Sequence, residues 1–220
     1  MPITIITGHF GSGKTEIALN LAFQQAEKGK CVQIYDIDVV NPYFCSKDKK
    51  EELEKQGIEV IASPKELSNA ELSVVPAEFL SIFSNQNKES IVDVGGDDMG
   101  ATVLSQYRER FEKCGYEMYF VINTKRLQTS TAEDIENYIL AIEKASRLKI
   151  THLINNTNLG SKTTIDHILQ SYAVVKEVSL KTNLPVKYTV VKAQLASELK
   201  AYVDSDLMEI KIFMLPEWLQ

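Results

Sequence analysis

The chain has 220 residues, 44% of them hydrophobic and 25% charged, with a formal net charge of −6 at pH 7. This balance fits one globular domain with a sizeable core; it holds no basic run of the kind that grips nucleic acid or an anionic membrane, and no apolar stretch approaches the ~18 residues of a membrane span. Cys31, Cys45 and Cys114 are scattered without a Cys-x-x-Cys pair and the N-terminus lacks a signal-peptide pattern, so neither a disulfide framework nor a zinc site is expected, and a reducing, cytoplasmic setting is.

The first predicted element is a buried strand, the β-branched run Ile3–Thr7. Gly8-His9-Phe10-Gly11-Ser12-Gly13-Lys14-Thr15 follows at once. From Thr15 to Lys28, Ile17, Ala18, Leu21, Ala22 and Ala26 recur at helical spacing, and Gly29 stands where a C-cap is wanted. A second strand, Cys31–Asp36, runs into Asp36-Ile37-Asp38-Val39-Val40-Asn41-Pro42. Lys47, Lys49 and Lys50, answered by Glu51, Glu52 and Glu54, read as a solvated helix face. Ile58–Ala62 is the third strand, and Ser63–Glu78 is the least regular stretch, expected as a surface loop with a short helix. The fourth strand, Ser90–Val94, leads into Gly95-Gly96-Asp97-Asp98-Met99-Gly100.

Tyr116–Asn123 is the fifth strand, preceded by Gly115 at a helix end. In the helix from Thr131 to Leu148, Ile135, Tyr138, Ile139, Ile142 and Ala145 share a face, and Thr131 with Asp134 forms a capping pair. Thr151–Asn155 is a strand, Ile165 to Val178 a helix and Val186–Val191 a strand. In the tail, Ile210, Ile212 and Met214 alternate as in an edge strand or a packed tail. His152 and His167 lack partners at ligand spacing and read as structural. Several strands are nearly all apolar, as expected of parallel strands covered on both faces. The alternation predicts one α/β domain over 1–220: a doubly wound, mainly parallel sheet with helices on both faces.

The glycine segment fits G-x-x-x-x-G-K-[ST] without mismatch, between a strand and a helix, which is the context of a phosphate-binding P-loop. Glycines let successive N–H groups turn inward on a phosphate, and the following helix adds its N-terminal N–H groups and dipole. In this pattern Lys14 reaches the β- and γ-phosphates and Thr15 sits on Mg²⁺. In an open parallel sheet, ligands bind at the carboxyl ends of the strands, so Asp36, Asp38 and Asp93 emerge on the side of the glycine loop. There they can hold a metal or orient water. Gly95-Gly96 permits a backbone that approaches a γ-phosphate and moves when it leaves. Arg126 either flanks the nucleotide or lies exposed.

In this order and spacing, the P-loop, D-x-D and D-V-G-G-D segments resemble the MinD/ParA-like (CobQ/CobB/MinD/ParA) P-loop ATPases, which include the nitrogenase iron protein. The resemblance runs over almost the whole chain. It implies a domain that binds ATP and Mg²⁺, hydrolyses ATP, and pairs as an ATP-dependent homodimer across nucleotide. By this resemblance Gly8, His9, Phe10, Gly11, Ser12, Gly13, Lys14, Thr15 and Glu16 form the nucleotide loop. Thr15, Asp38 and Asp93 attend the metal, Lys14, Asp38 and Asp97 serve hydrolysis, and Asn155 or Asn156 reads the adenine edge, which an amide can both donate to and accept from. Two departures stand out. His9 occupies the position where many relatives carry a lysine that reaches the partner's nucleotide, and Gly100 the position of the iron protein's cluster-binding cysteine. No Asp follows Asn123-Thr124-Lys125 in a guanine-reading pattern, so the resemblance implies ATP.

The expected function is a Mg²⁺-dependent ATPase whose hydrolysis changes affinity for a partner protein, such as an enzyme it matures or regulates. The alternative is an ATP-dependent ligase or small-molecule kinase of the dethiobiotin synthetase or cobyric acid synthase type, which shares the fold and lacks the second lysine.

Overall fold

The computed structural model describes residues 3–37, 50–62, 77–84, 87–96 and 98–214. Eight strands alternate with helices: β1 Ile3–Gly8, β2 Val32–Ile37, β3 Ile58–Ala62, β4 Glu89–Val94, β5 Tyr116–Ile122, β6 His152–Asn155, β7 Val186–Val191 and β8 Asp206–Glu209. They form one sheet in the order β3-β2-β4-β1-β5-β6-β7-β8, and every neighbouring pair is parallel. The seven strands expected from apolar runs are all present, with ends displaced by a residue at most. The eighth is short and closes one edge.

The helices are α1 Lys14–Glu27, α2 Lys50–Lys55, α3 Asp98–Ser105, α4 Arg108–Cys114, α5 Ala132–Ser146, α6 Ile165–Thr182 and α7 Ala193–Leu199, with a 3₁₀ turn at Ala77–Phe83. The remainder of the irregular Ser63–Glu78 stretch lies outside the described residues. The central strands are largely apolar because they bury both faces. Ile5, Val92 and Phe120 pack into one core with Phe79, Phe111 and Ile135. Ile6, Ile91 and Val121, each one residue along, pack into a second core with Ile17 and Leu21 of α1.

Local signals hold the helix ends. Thr131 and Asp134 make reciprocal backbone bonds, the capping box expected at the start of α5. Thr164 and His167 do the same for α6, which gives His167 its structural role. β1 lies inside the sheet between β4 and β5, and the chain leaves it toward β2 on one side before returning to β5 on the other. That reversal opens a crevice at the carboxyl ends of the central strands, where the glycine loop emerges.

Candidate nucleotide site

The loop between β1 and α1 is a tight cradle. Gly8, Gly11 and Gly13 take φ values of 145°, 72° and 89°, and the Ser12 N–H donates to the His9 carbonyl at 3.0 Å. Gly13 starts α1 without a side-chain cap, so the N–H groups of the first turn remain available to an anion. Ser12 is fully buried, and its Oγ has no hydrogen-bond partner among the described residues. A buried hydroxyl without a partner beside an uncapped helix N-terminus fits a phosphate group.

Lys14 is only 6% exposed, and its Nζ donates to the His9 carbonyl at 3.4 Å. Its ammonium also lies against Gly96, where an added Cβ would come within 2.7 Å of Nζ and 2.8 Å of the Phe10 Cα. The turn after β4 therefore presses directly on the glycine loop. The Tyr138 hydroxyl of α5 donates to the Gly96 carbonyl at 3.0 Å. In the sequence Tyr138 reads only as one of the apolar positions of its helix.

The carboxylates gather beside this loop. Asp36 and Asp93 are register partners on adjacent parallel strands, so they share a face, and they are 5% and 1% exposed. Two buried acids side by side repel one another, and a divalent cation relieves that repulsion. Carboxylate oxygens of this kind are ligands that suit a hard divalent cation. Asp38 and Asp97 lie outside the described residues, as does Cys45. Gly100 falls in the first turn of α3, where an added Cβ would lie 2.7 Å from the Gly95 Cα. Glycine is thus a packing requirement at the position where the iron protein carries cysteine.

His9 packs edge-on against Tyr138, with ring centroids 5.3 Å apart. Burial pushes its imidazole below the ordinary value. A hydrogen bond with the Phe10 backbone opposes this, while the Lys14 and Arg126 cations push the same way as burial, so the charged ring is disfavoured. The fixed cation beside the loop is instead Arg126, whose Nε donates to the Gly11 carbonyl at 3.3 Å. Its guanidinium stands 3.3 Å from the position of a Gly11 Cβ. Phe10, at the tip of the loop, is 59% exposed.

Asn156 braces the loop from outside. Its Nδ2 donates to the Ser12 carbonyl at 2.7 Å, and a Cβ on Gly13 would come within 2.3 Å of that nitrogen. Asn155, 1% exposed, instead turns its Oδ1 to Ser171 Oγ at 2.8 Å and to the Thr157 N–H at 3.2 Å. Asn156→Ala should destabilise the fold by about 1–3 kcal/mol, because a buried carbonyl loses its donor. A thermal melt followed by circular dichroism checks this, and an unchanged midpoint would show that the brace contributes nothing.

A cavity of about 650 Å³ opens next to the loop, lined by Gly11 and Gly13, the Asn156–Gly160 turn, Leu195 of α7, and Ile210 and Ile212 beyond β8. Its size suits a small ligand. Glu16 also lines it, but its carboxylate accepts the backbone N–H groups of Phe213 and Met214 from the C-terminal segment. No spacing rule in the sequence could place that partner.

No curated protein matches the chain. Among solved structures, it is similar to the cell division protein FtsY of Thermotoga maritima at 19% identity and a TM-score of 0.58, covering 87% of this chain and 62% of that one. The signal recognition particle receptor FtsY of Elizabethkingia anophelis, solved in complex with GDP, aligns at 19% identity and a TM-score of 0.57, covering 87% and 57%. Chloroplast FtsY of Physcomitrella patens aligns at 16% identity and a TM-score of 0.58, covering 86% and 58%. The chain spans less than two thirds of each of these proteins, and at such identity the likeness is one of fold. Among the described residues, no helix is long and apolar enough to cross a membrane. Residues 3–202, which contain the glycine loop and the paired aspartates, match the CobQ/CobB/MinD/ParA nucleotide-binding domain, and the chain belongs to that family.

Proposed function

We propose that the chain is a Mg²⁺-dependent ATP switch: it binds ATP, hydrolyses it, and transmits the presence of the γ-phosphate through the Gly95–Gly96 turn to a partner protein. The observation that carries this reading is the contact of buried Lys14 with both the loop carbonyl of His9 and the glycine after β4. A phosphate chain laid in the cradle would meet the uncapped α1 terminus, Ser12, Lys14 and Arg126 together. Bound Mg²⁺ would neutralise charge on the phosphate oxygens, with Thr15, Asp93 and Asp36 as its protein neighbours. Asp38 and Asp97 retain the water-orienting roles that the family resemblance implies for them. Such a reaction is mostly positioning and charge stabilisation, which this arrangement of donors supplies.

Adenine is favoured over guanine by the chemistry of the cavity. Guanine offers two adjacent N–H donors on its pairing edge and is best met by a carboxylate. Among the described lining residues the carboxylate is that of Glu16, already occupied by Phe213 and Met214. Amides and backbone groups of the Asn156–Gly160 turn can instead donate to and accept from adenine. Competition binding against a fluorescent ATP analogue is expected to give ATP at least a tenfold advantage over GTP, or about 1.4 kcal/mol. Equal competition, or preference for GTP, would overturn the assignment and align the chain with its GDP-bound structural neighbour. Phosphate release that strictly requires a small carboxylate substrate would place it instead with the amidating members of the family.

A further inference from the structure

Beyond β8 the chain does not stop at the sheet edge. Ile210 still bonds to β7, its N–H donating to the Val191 carbonyl at 3.1 Å. The chain then crosses onto α1. Asn20, 4% exposed, grips the Lys211 peptide from both sides: Oδ1 accepts its N–H at 2.8 Å, and Nδ2 donates to its carbonyl at 2.9 Å. One turn nearer the phosphate loop, Glu16 receives the N–H groups of Phe213 and Met214. One turn further away, Phe213 stacks on Phe23 with centroids 4.6 Å apart and planes 5° from parallel. Glu16, Asn20 and Phe23 are spaced by four and three residues, so a single stripe of α1 holds the whole segment.

The fastening has a consequence for the cavity. Ile210 and Ile212, two apart on the held segment, both line it, alongside Gly11 and Gly13 of the phosphate loop. Ile212 is 48% exposed, and Leu159, another lining residue, is 45% exposed. Such apolar side chains at the rim of a cavity are what the flat face of a heteroaromatic ring would cover. Glu16 follows the phosphate-loop threonine directly, so the same helical turn ends the phosphate cradle and anchors the segment. We propose that Ile210–Met214 is the outer wall of a purine-base subsite, fastened by Glu16 and Asn20, so that affinity gained from the base, and not from the phosphates, depends on this strap. The proposal rests on the nucleotide-binding reading and adds to it a specificity wall that the P-loop pattern does not contain.

The test uses the full chain with two probes, ATP and inorganic tripolyphosphate, which carries phosphates without a base. In hydrogen exchange, ATP is expected to slow the Lys211, Phe213 and Met214 amides about tenfold, and tripolyphosphate less than twofold. Ile212→Ser, a change at a half-exposed position, is expected to weaken ATP roughly five- to tenfold and tripolyphosphate less than twofold. Glu16→Ala is expected to speed exchange at Phe213 and Met214 and to cost ATP affinity by a similar factor. If ATP binds tightly but the strap amides do not respond, or if Ile212→Ser weakens both probes equally, the strap is not a base wall, while nucleotide binding stands. Equal loss of both probes in Glu16→Ala with unchanged amide exchange also overturns it. If the unaltered chain binds neither probe, both readings fall together.

Discussion

Lys14→Ala is expected to lower ATP affinity by roughly two orders of magnitude or more, and phosphate release with it. Lys14 is 6% exposed and wedged between the His9 carbonyl and Gly96, so its charge is largely removed from water before any ligand arrives. Truncating one partner of a desolvated charge pair costs about 2–5 kcal/mol, because the phosphate left behind has neither its cation nor full hydration. His9, whose charged form is disfavoured, is a poor substitute, and Arg126 is engaged at the Gly11 carbonyl. Titration with a fluorescent ATP analogue measures the effect, and a thermal melt confirms that the variant remains folded. Near-normal affinity in a folded variant would mean that phosphates do not bind in this cradle.

Gly8→Ala is expected to have the largest effect on stability. Gly8 ends β1 at φ 145°, and an added Cβ would sit 2.4 Å from the Val121 carbonyl of β5, in the middle of the sheet. That neighbour is backbone and cannot swing aside. Strained backbone and overpacking together cost about 2–5 kcal/mol. For a chain of this size the melting temperature should fall by roughly 5–15 °C. Gly29→Ala is the matched control: Gly29 has a similarly unfavourable φ of 77°, but nothing lies within 4 Å of its Cβ position. It should cost about 1 kcal/mol from backbone strain alone. If the two variants melt together, the close approach of β1 to β5 at this point does not constrain the fold.

The elements were readable because their signals are local. β1 declares itself through a run of β-branched residues, α5 through an apolar stripe behind a Thr131–Asp134 box, and the phosphate loop through eight consecutive residues. The glycine loop is therefore legible in the sequence alone. The contacts that complete it are not. Asn155 and Asn156 both stand as candidates to read the base; the Asn156 amide spans 144 positions to brace the Ser12 carbonyl, while Asn155 turns to Ser171 and Thr157. Glu16 follows the loop directly in sequence, and its carboxylate accepts a backbone N–H 197 positions away. Tyr138 has the spacing of a core residue and spends its hydroxyl on Gly96.

The sequence by itself determined the α/β class, the seven principal strands, the glycine cradle and the expectation of nearby carboxylates, since each is written within one turn or one strand. Tertiary structure alone decided that β4 inserts between β1 and β2, making Asp36 and Asp93 register partners, and that the C-terminal strap closes over the first helix. Periodicity tells a residue which face it must bury, but not which distant strand or segment will cover that face; that choice is made by packing across the whole sheet.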